Sequence, residues 1–257
     1  MALHLRRLLR RRRALACLTS LATACHAHRA APTPVADGGM LLPGSPMLAS
    51  PPLARDSRAL AVLAARSDTS TFAPFGSVTR WVDAPAGDGT VASGFAFGGR
   101  YQSVDTLVVR RAGLRPVSEV LRFQGTETVL RYDGARVVAT IRRGDSTRTV
   151  ERAYEHPVFA FNQMEMLARS LPPVAGTRVV VPLFSEVDLQ VEYDTLTVLG
   201  PVPGGGRRAW TVRFADPVIV AELVVDGETR AVVRQDTRQR RSGSVIRYAP
   251  DGVAPGP

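Results

Sequence analysis

From residue 78 onward, apolar side chains recur at every second position, in short runs rich in Val, Thr, Tyr and Phe separated by Gly, Asp and Pro. A period of two puts alternate side chains on opposite faces of an extended chain, so the pattern predicts antiparallel strands with one buried face. The hairpin signal is clearest over 127–142 (ETVLRYDGARVVATIR). Asp133-Gly134 suits a two-residue turn whose central positions take positive φ. That turn sets Tyr132 opposite Ala135 and Leu130 opposite Val137, with Thr128 and Ala139 following in register. Over 187–199, Val187, Leu189, Val191 and Tyr193 share one face, and Asp188, Gln190, Glu192 and Asp194 share the other. The phase then flips to Leu196 and Val198, which predicts a bulge or bend near Asp194–Thr195. Between 218 and 234 a two-residue loop at Asp226-Gly227 would oppose Leu223 to Arg230, so a longer loop is expected there.

Two segments carry helical patterns. Arg55–Arg66 (RDSRALAVLAAR) is rich in Ala and Leu, with Asp56 or Ser57 as N-cap, and is expected to form a short packed helix. Asn162 precedes Glu165 by three residues, the spacing of a capping box. Met164, Leu167, Ala168 and Leu171 then form an apolar stripe, and Pro172-Pro173 ends the helix. No period of 20–50 residues recurs, which argues against a solenoid or propeller. The fold that these patterns predict is mainly β, with antiparallel strands and one or two short helices.

The N-terminus changes the picture. Met1–Arg13 carries six arginines and no acid, and a short apolar run over 14–24 leads to Cys25. A basic stretch, a short apolar stretch and closing small residues describe an export signal, and the apolar run is too short to span a bilayer. Ala22-Thr23-Ala24 is a cleavage site for an ordinary signal peptidase. Leu21-Ala22-Thr23-Ala24-Cys25 also resembles a bacterial lipobox, which would make Cys25 a lipidated first residue. The expected organisation is a signal peptide over 1–24, a disordered Pro/Ala-rich tether over 25–54, one β-rich domain over 55–250 and a disordered tail over 251–257. The expected location is the cell envelope, lipid-anchored in the periplasm or outer membrane, or the secreted fraction.

Charge and cysteine content narrow the chemistry. All 33 basic residues are arginines, and cleavage before Cys25 leaves 27 against 23 acids, so the net charge falls from +10 to +4. The arginines are scattered along strand-like runs without interleaved aromatics, which fits solvated strand faces and not a nucleic-acid surface. Without lysine there is neither a Schiff-base nucleophile nor a Walker-type phosphate loop. The two cysteines, Cys17 and Cys25, lie within or at the end of the signal, so the domain has no disulfide, thiolate nucleophile or cysteine metal site.

Few catalytic groups remain. His156 is the one histidine beyond residue 28. No G-x-S-x-G elbow accompanies it, and no H-E-x-x-H spacing marks a zinc site. Glu186, Asp188, Glu192 and Asp194 form the densest acidic run; its alternation reads as a solvated strand face, or as carboxylates for a glycosidase-type reaction. Gly204-Gly205-Gly206 reads as a hairpin loop. Trp81 and Trp210 read as core or rim residues. No metal, cofactor or catalytic residue is expected.

From Glu155-His156-Pro157-Val158-Phe159 the order of elements follows a familiar course. The capped helix comes next, then Leu171-Pro172-Pro173-Val174-Ala175-Gly176, the strand 178–184, a long bent strand, a segment with Trp210, and Val232-Val233-Arg234-Gln235-Asp236. This order resembles a family of exported bacterial β-rich domains of unknown function, similar to curved half-barrels of the lipoprotein-carrier type. The resemblance covers residues 90–248, implies an antiparallel, strongly curved sheet, a half-barrel or open barrel, with a helix near its concavity, and brings no catalytic residue with it. The function expected is a non-enzymatic envelope protein that binds an apolar ligand or an envelope partner, with the membrane reached through a lipid on Cys25. Phe159, Phe161, Met164, Met166, Leu167 and Leu171 either line the ligand site under the helix or fill the core. A secreted hydrolase using carboxylates or His156, and a structural or assembly module, are the alternatives.

Overall fold

Alternation of inward apolar and outward polar residues produces fifteen strands, seen in a computed structural model that describes residues 39–48, 53, 55–67, 71–84, 86–99, 102–202 and 209–250. The first eight are β1 (Asp56–Ala65), β2 (Ala73–Val82), β3 (Thr90–Phe97), β4 (Ser103–Arg110), β5 (Arg115–Phe123), β6 (Thr126–Asp133), β7 (Arg136–Arg143) and β8 (Ser146–Ala153). After β9 (Phe159–Ala160) come a 3-10 turn (Phe161–Gln163) and the helix α1 (Met164–Ser170). The remaining strands are β10 (Arg178–Ser185), β11 (Gln190–Pro201), β12 (Trp210–Ala215), β13 (Ile219–Val225), β14 (Val232–Gln239) and β15 (Val245–Pro250). All belong to one sheet, ordered β8-β7-β6-β5-β4-β3-β2-β1-β15-β14-β13-β12-β11-β10-β9. Neighbours are antiparallel except β9 beside β10. The sheet is not closed: two meanders meet where β1 pairs with β15, and β8 and β9 are left as the edges.

The β9–β10 edge curls back onto the inner face of β4–β6. The Phe184 ring of β10 meets Tyr132 of β6 at 6.1 Å and Tyr154 at 6.0 Å between centroids. Gln163 Nε2 donates to the Leu114 carbonyl at 2.5 Å. Phe159, Phe161, Leu167, Leu171 and Leu183 thereby enter one buried cluster with Leu107, Leu130 and Val212. A second, smaller cluster joins Leu60, Val62, Val78, Phe97, Ile246 and Tyr248 across β1–β3 and β15. Part of the segment expected to be a disordered tether is packed instead. Leu41 N–H donates to Val180 O at 2.8 Å and Gly44 N–H to Gly113 O at 2.7 Å, while Leu41 and Leu48 are buried. The rest of that segment, 25–38, 49–52 and 54, lies outside the described residues, as do the expected signal peptide, the Gly204-Gly205-Gly206 loop and the expected tail.

The helix expected over Arg55–Arg66 is the strand β1. Helix-compatible Ala and Leu content is a weak prior, and pairing on both sides, with β2 and β15, overrides it. The 127–142 hairpin forms with its register displaced by two residues: Asp133 faces Arg136, Tyr132 faces Val137 and Leu130 faces Ala139. Only Gly134 takes a positive φ (58°), so the turn centres on Gly134-Ala135, as in a turn with glycine at its first central position. A shift of two keeps every side chain on its expected face. In β11 no phase flip occurs at Asp194: Asp194, Leu196 and Val198 all point inward and are buried, and the register shift falls between Val198 and Gly200. The Asp226–Ala231 connection is the longer loop expected, with Val225 facing Val232. Asn162 does not cap α1. A 3-10 turn leads into the helix, and Gln163 Oε1 accepts from Ala160 N–H at 3.2 Å. The expected apolar stripe of α1 is buried and the helix stops at Leu171, before the two prolines.

One glycine is set by close approach. Gly94 in β3 lies opposite Trp81 of β2 and Thr106 of β4. A Cβ there would sit 2.1 Å from the Asp105 carbonyl oxygen and 2.6 Å from the Trp81 ring. Backbone cannot swing aside, so Gly94→Ala is expected to lower stability by about 3 kcal/mol in urea unfolding. Gly87→Ala, where a Cβ would meet nothing within 4 Å, is expected to stay within about 0.5 kcal/mol of the parent protein. Equal midpoints for the two variants would contradict this account.

Candidate functional site

The curl brings three carboxylates together. Asp105 on β4 and Glu119 on β5 are diagonal neighbours on the inner face, because Asp105 faces Leu121 and Glu119 faces Leu107. Glu186 follows directly after β10 and arrives from the opposite edge of the sheet. One oxygen from each lies within 4.8 Å of the others. Asp105 and Glu119 have no exposed surface, and Glu186 is 5 % exposed. Asn162 Nδ2, in the turn before α1, donates to Asp105 Oδ2 at 2.8 Å and Glu119 Oε1 at 2.9 Å, and stands 3.4 Å from Glu186 Oε1. Tyr132 OH donates to Glu119 Oε2 at 2.7 Å. Burial, and then repulsion by Glu119, pushes the Glu186 carboxyl up to about 8. Burial and Glu119 likewise drive Asp105 well above the ordinary carboxylate range, and burial raises Glu119. Burial, together with the Glu119 charge, raises the Tyr132 phenol, which keeps it a donor.

Beside this cluster runs a layer of opposite character. Arg58 on β1 is ion-paired and hydrogen-bonded to Asp56 and stands 3.4 Å from Glu165 of α1. Arg80 Nη1 on β2 donates to Glu165 Oε2 at 3.2 Å, and its Nη2 donates to Gln235 Oε1 at 2.8 Å. Arg169, 1 % exposed, faces Asp56 and Glu165 at 3.7 and 3.6 Å. Three arginines thus share two carboxylates. Arg80, Phe95 and Asp105 are consecutive partners across β2, β3 and β4, so Phe95 separates the arginine layer from the acidic cluster. Over this boundary α1 leaves a recess of about 60 Å³, lined by Arg80, Phe95, Leu107, Asn162, Met164 and Met166 among others.

The sequence-predicted residues fall as follows. Phe159, Phe161, Met164, Met166, Leu167 and Leu171 are all buried in the main core, and only the two methionines reach the recess. His156 is half-exposed and faces the adjacent Glu155 at 3.6 Å. Trp210 is buried under Arg230, 4.7 Å from ring to guanidinium. The acidic run 186–194 is not one solvated strand face. Glu186 joins the cluster above, Asp188 sits in the turn after β10, and Asp194 is fully buried near Glu192 and Asp216. The carboxylates of the first cluster are buried together and do not face each other across an open cleft, as a glycosidase pair must. Asp105 and Glu119 were not singled out by sequence, yet a signal exists. Each stands in phase with inward apolar residues, Asp105 with Leu107 and Val109, Glu119 with Leu121 and Phe123.

No family model matches the chain, and no curated protein matches it. Among solved structures, it is similar to a β-barrel-like protein of a domain of unknown function, DUF1849, from Brucella abortus. The TM-score is 0.49 and the identity 12 %, over 78 % of this chain and 97 % of that one.

The raised carboxyls set a pH dependence. A carboxyl whose folded pKa is raised holds a proton that the unfolded chain has released, so folded-state stability falls as pH rises through that window. For Glu186 the window runs from the ordinary 4.5 to about 8. In chelator-treated protein the melting temperature is expected to fall across it, each such proton adding a slope of about 1.4 kcal/mol per pH unit. Glu186→Gln is expected to flatten the profile and to melt higher than the parent at the alkaline end. A profile that rises toward pH 8 would contradict the assignment.

Proposed function

We propose that this is a non-enzymatic cell-envelope protein, exported through residues 1–24 and lipid-anchored at Cys25, that holds an anionic amphiphile in the recess beneath α1. The supporting observation is the recess itself: Phe95, Leu107, Met164 and Met166 give it an apolar wall, and Arg80 stands at its edge in a layer with one arginine in excess over carboxylates. An apolar pocket with a few convergent polar groups is the common form of a small-molecule site. At about 60 Å³ the recess takes a few carbon atoms of a tail. A longer chain requires Met164 and Met166 to turn aside, which their unbranched thioethers allow.

The test is calorimetric titration of the folded protein with octanoate and with octanol, beside native mass spectrometry of the full-length chain expressed with its signal in a bacterial host. Uptake of octanoate is expected. Arg80→Met should weaken it about tenfold, the loss of one charge-assisted contact, and leave octanol unchanged. A diacyl or triacyl mass on Cys25 is expected in the same preparation. No uptake of either probe would overturn the ligand reading in favour of an assembly module, and an unmodified Cys25 would remove the anchor.

A further inference from the structure

The three-carboxylate cluster has too few donors for its oxygens. Asn162 Nδ2 and Tyr132 OH together reach four of the six carboxylate oxygens. Asp105 Oδ1 and Glu186 Oε2 are buried without any hydrogen-bond partner, on side chains at least nine-tenths buried whose second oxygens already face Asn162. Among the described residues no arginine or histidine forms an ion pair with any of the three carboxylates. Buried carboxylates without a counter-charge are prohibitively unfavourable, so either protons or a cation completes the group.

We infer that Asp105, Glu119 and Glu186 form a site for a hard divalent cation of the Ca²⁺ class, with Asn162 as a fourth ligand. The donor set is oxygen alone, with neither histidine nor cysteine, which disfavours zinc and copper. One oxygen from each carboxylate within 4.8 Å of the others is the span that a single Ca²⁺, at 2.3–2.6 Å from each, bridges. Asn162 presents its nitrogen to all three carboxylates. Turning the amide over about Cβ–Cγ presents Oδ1 instead, so the same side chain serves the empty and the filled site. The site joins β4 and β5 to the chain following β10, so a bound cation ties the curled edge of the sheet to its inner face.

The experiment uses chelator-stripped protein at pH 8, titrated with CaCl₂ by calorimetry and followed by melting temperature, with KCl at matched ionic strength as control. One site is expected, of the 10⁻⁴–10⁻³ M class typical of extracellular modules, with a rise in melting temperature of about 5 °C or more at saturation. Glu186→Gln is expected to weaken binding at least about tenfold, and Asn162→Asp, which adds a carboxylate, to tighten it. Asn162→Asp keeps the question decidable if Glu186→Gln does not fold. No heat and no stabilisation beyond KCl would overturn the inference and leave protons as the cluster's counter-charge. Equal Ca²⁺ affinity in the parent and both variants would overturn it by placing the ion elsewhere.

Discussion

Everything in this molecule depends on covering the concave face of a sheet that does not close. Fifteen strands in series leave two edges and a long inner surface, and an open sheet of that length must curl or split to bury it. The covering comes from the chain itself. Phe159 to Gln163, with Phe184 behind them, are pressed onto β4–β6 and α1 onto β13 and β14, and the apolar side chains of this segment are among the most completely buried of the described residues. Burial of such aromatic and aliphatic groups, at about 1.5–3 kcal/mol each, is what holds the curled edge in place. The Gln163 contact to the Leu114 carbonyl and the Tyr132–Phe184 ring contact fix where it lands.

The same curl creates the polar interior. Because the β9–β10 edge returns over β4 and β5, Glu186 is driven against Asp105 and Glu119, and Asn162 is placed between them. On the other side of Phe95, Glu165 of α1 reaches Arg58 of β1 and Arg80 of β2, and Arg169 reaches Asp56 of β1. Removing one partner of such a buried set costs more than the set contributes, since a charge is then left unpaired. These groups therefore act as registration pins. The helix cannot slide along the sheet without separating Glu165 from both Arg58 and Arg80. The recess exists because two methionines and a phenylalanine meet at the boundary of the two layers without filling it.

Much of the architecture was legible from alternation alone. The β class, the 127–142 hairpin, the long 226–231 loop and the buried stripe of α1 all follow from which positions are apolar and which residues allow a turn. Misreadings came where local preference met tertiary pairing. Residues 56–65 have a helix former's composition and became a central strand, since two neighbours offered hydrogen bonds on both sides. Acids were read as solvent-facing, and for Asp194 and Glu186 that rule failed. Their phase with neighbouring apolar residues was the better guide, and it also marks Asp105 and Glu119.

By itself, the sequence determined the two-residue alternation of the strands and the turns between most of them. Periodicity, turn residues and the absence of lysine and domain cysteines are local properties, and they fix strand faces and rule out whole classes of chemistry. Only the tertiary structure decided which inward faces meet. The approach of β9–β10 to β4–β6 joins residues some 80 positions apart, from Asp105 to Glu186, and nothing in either segment alone encodes the distance between them. That distance is set by how strongly the whole sheet twists and curls, a sum over every strand pair. The carboxylate cluster and the recess beside it are products of that sum.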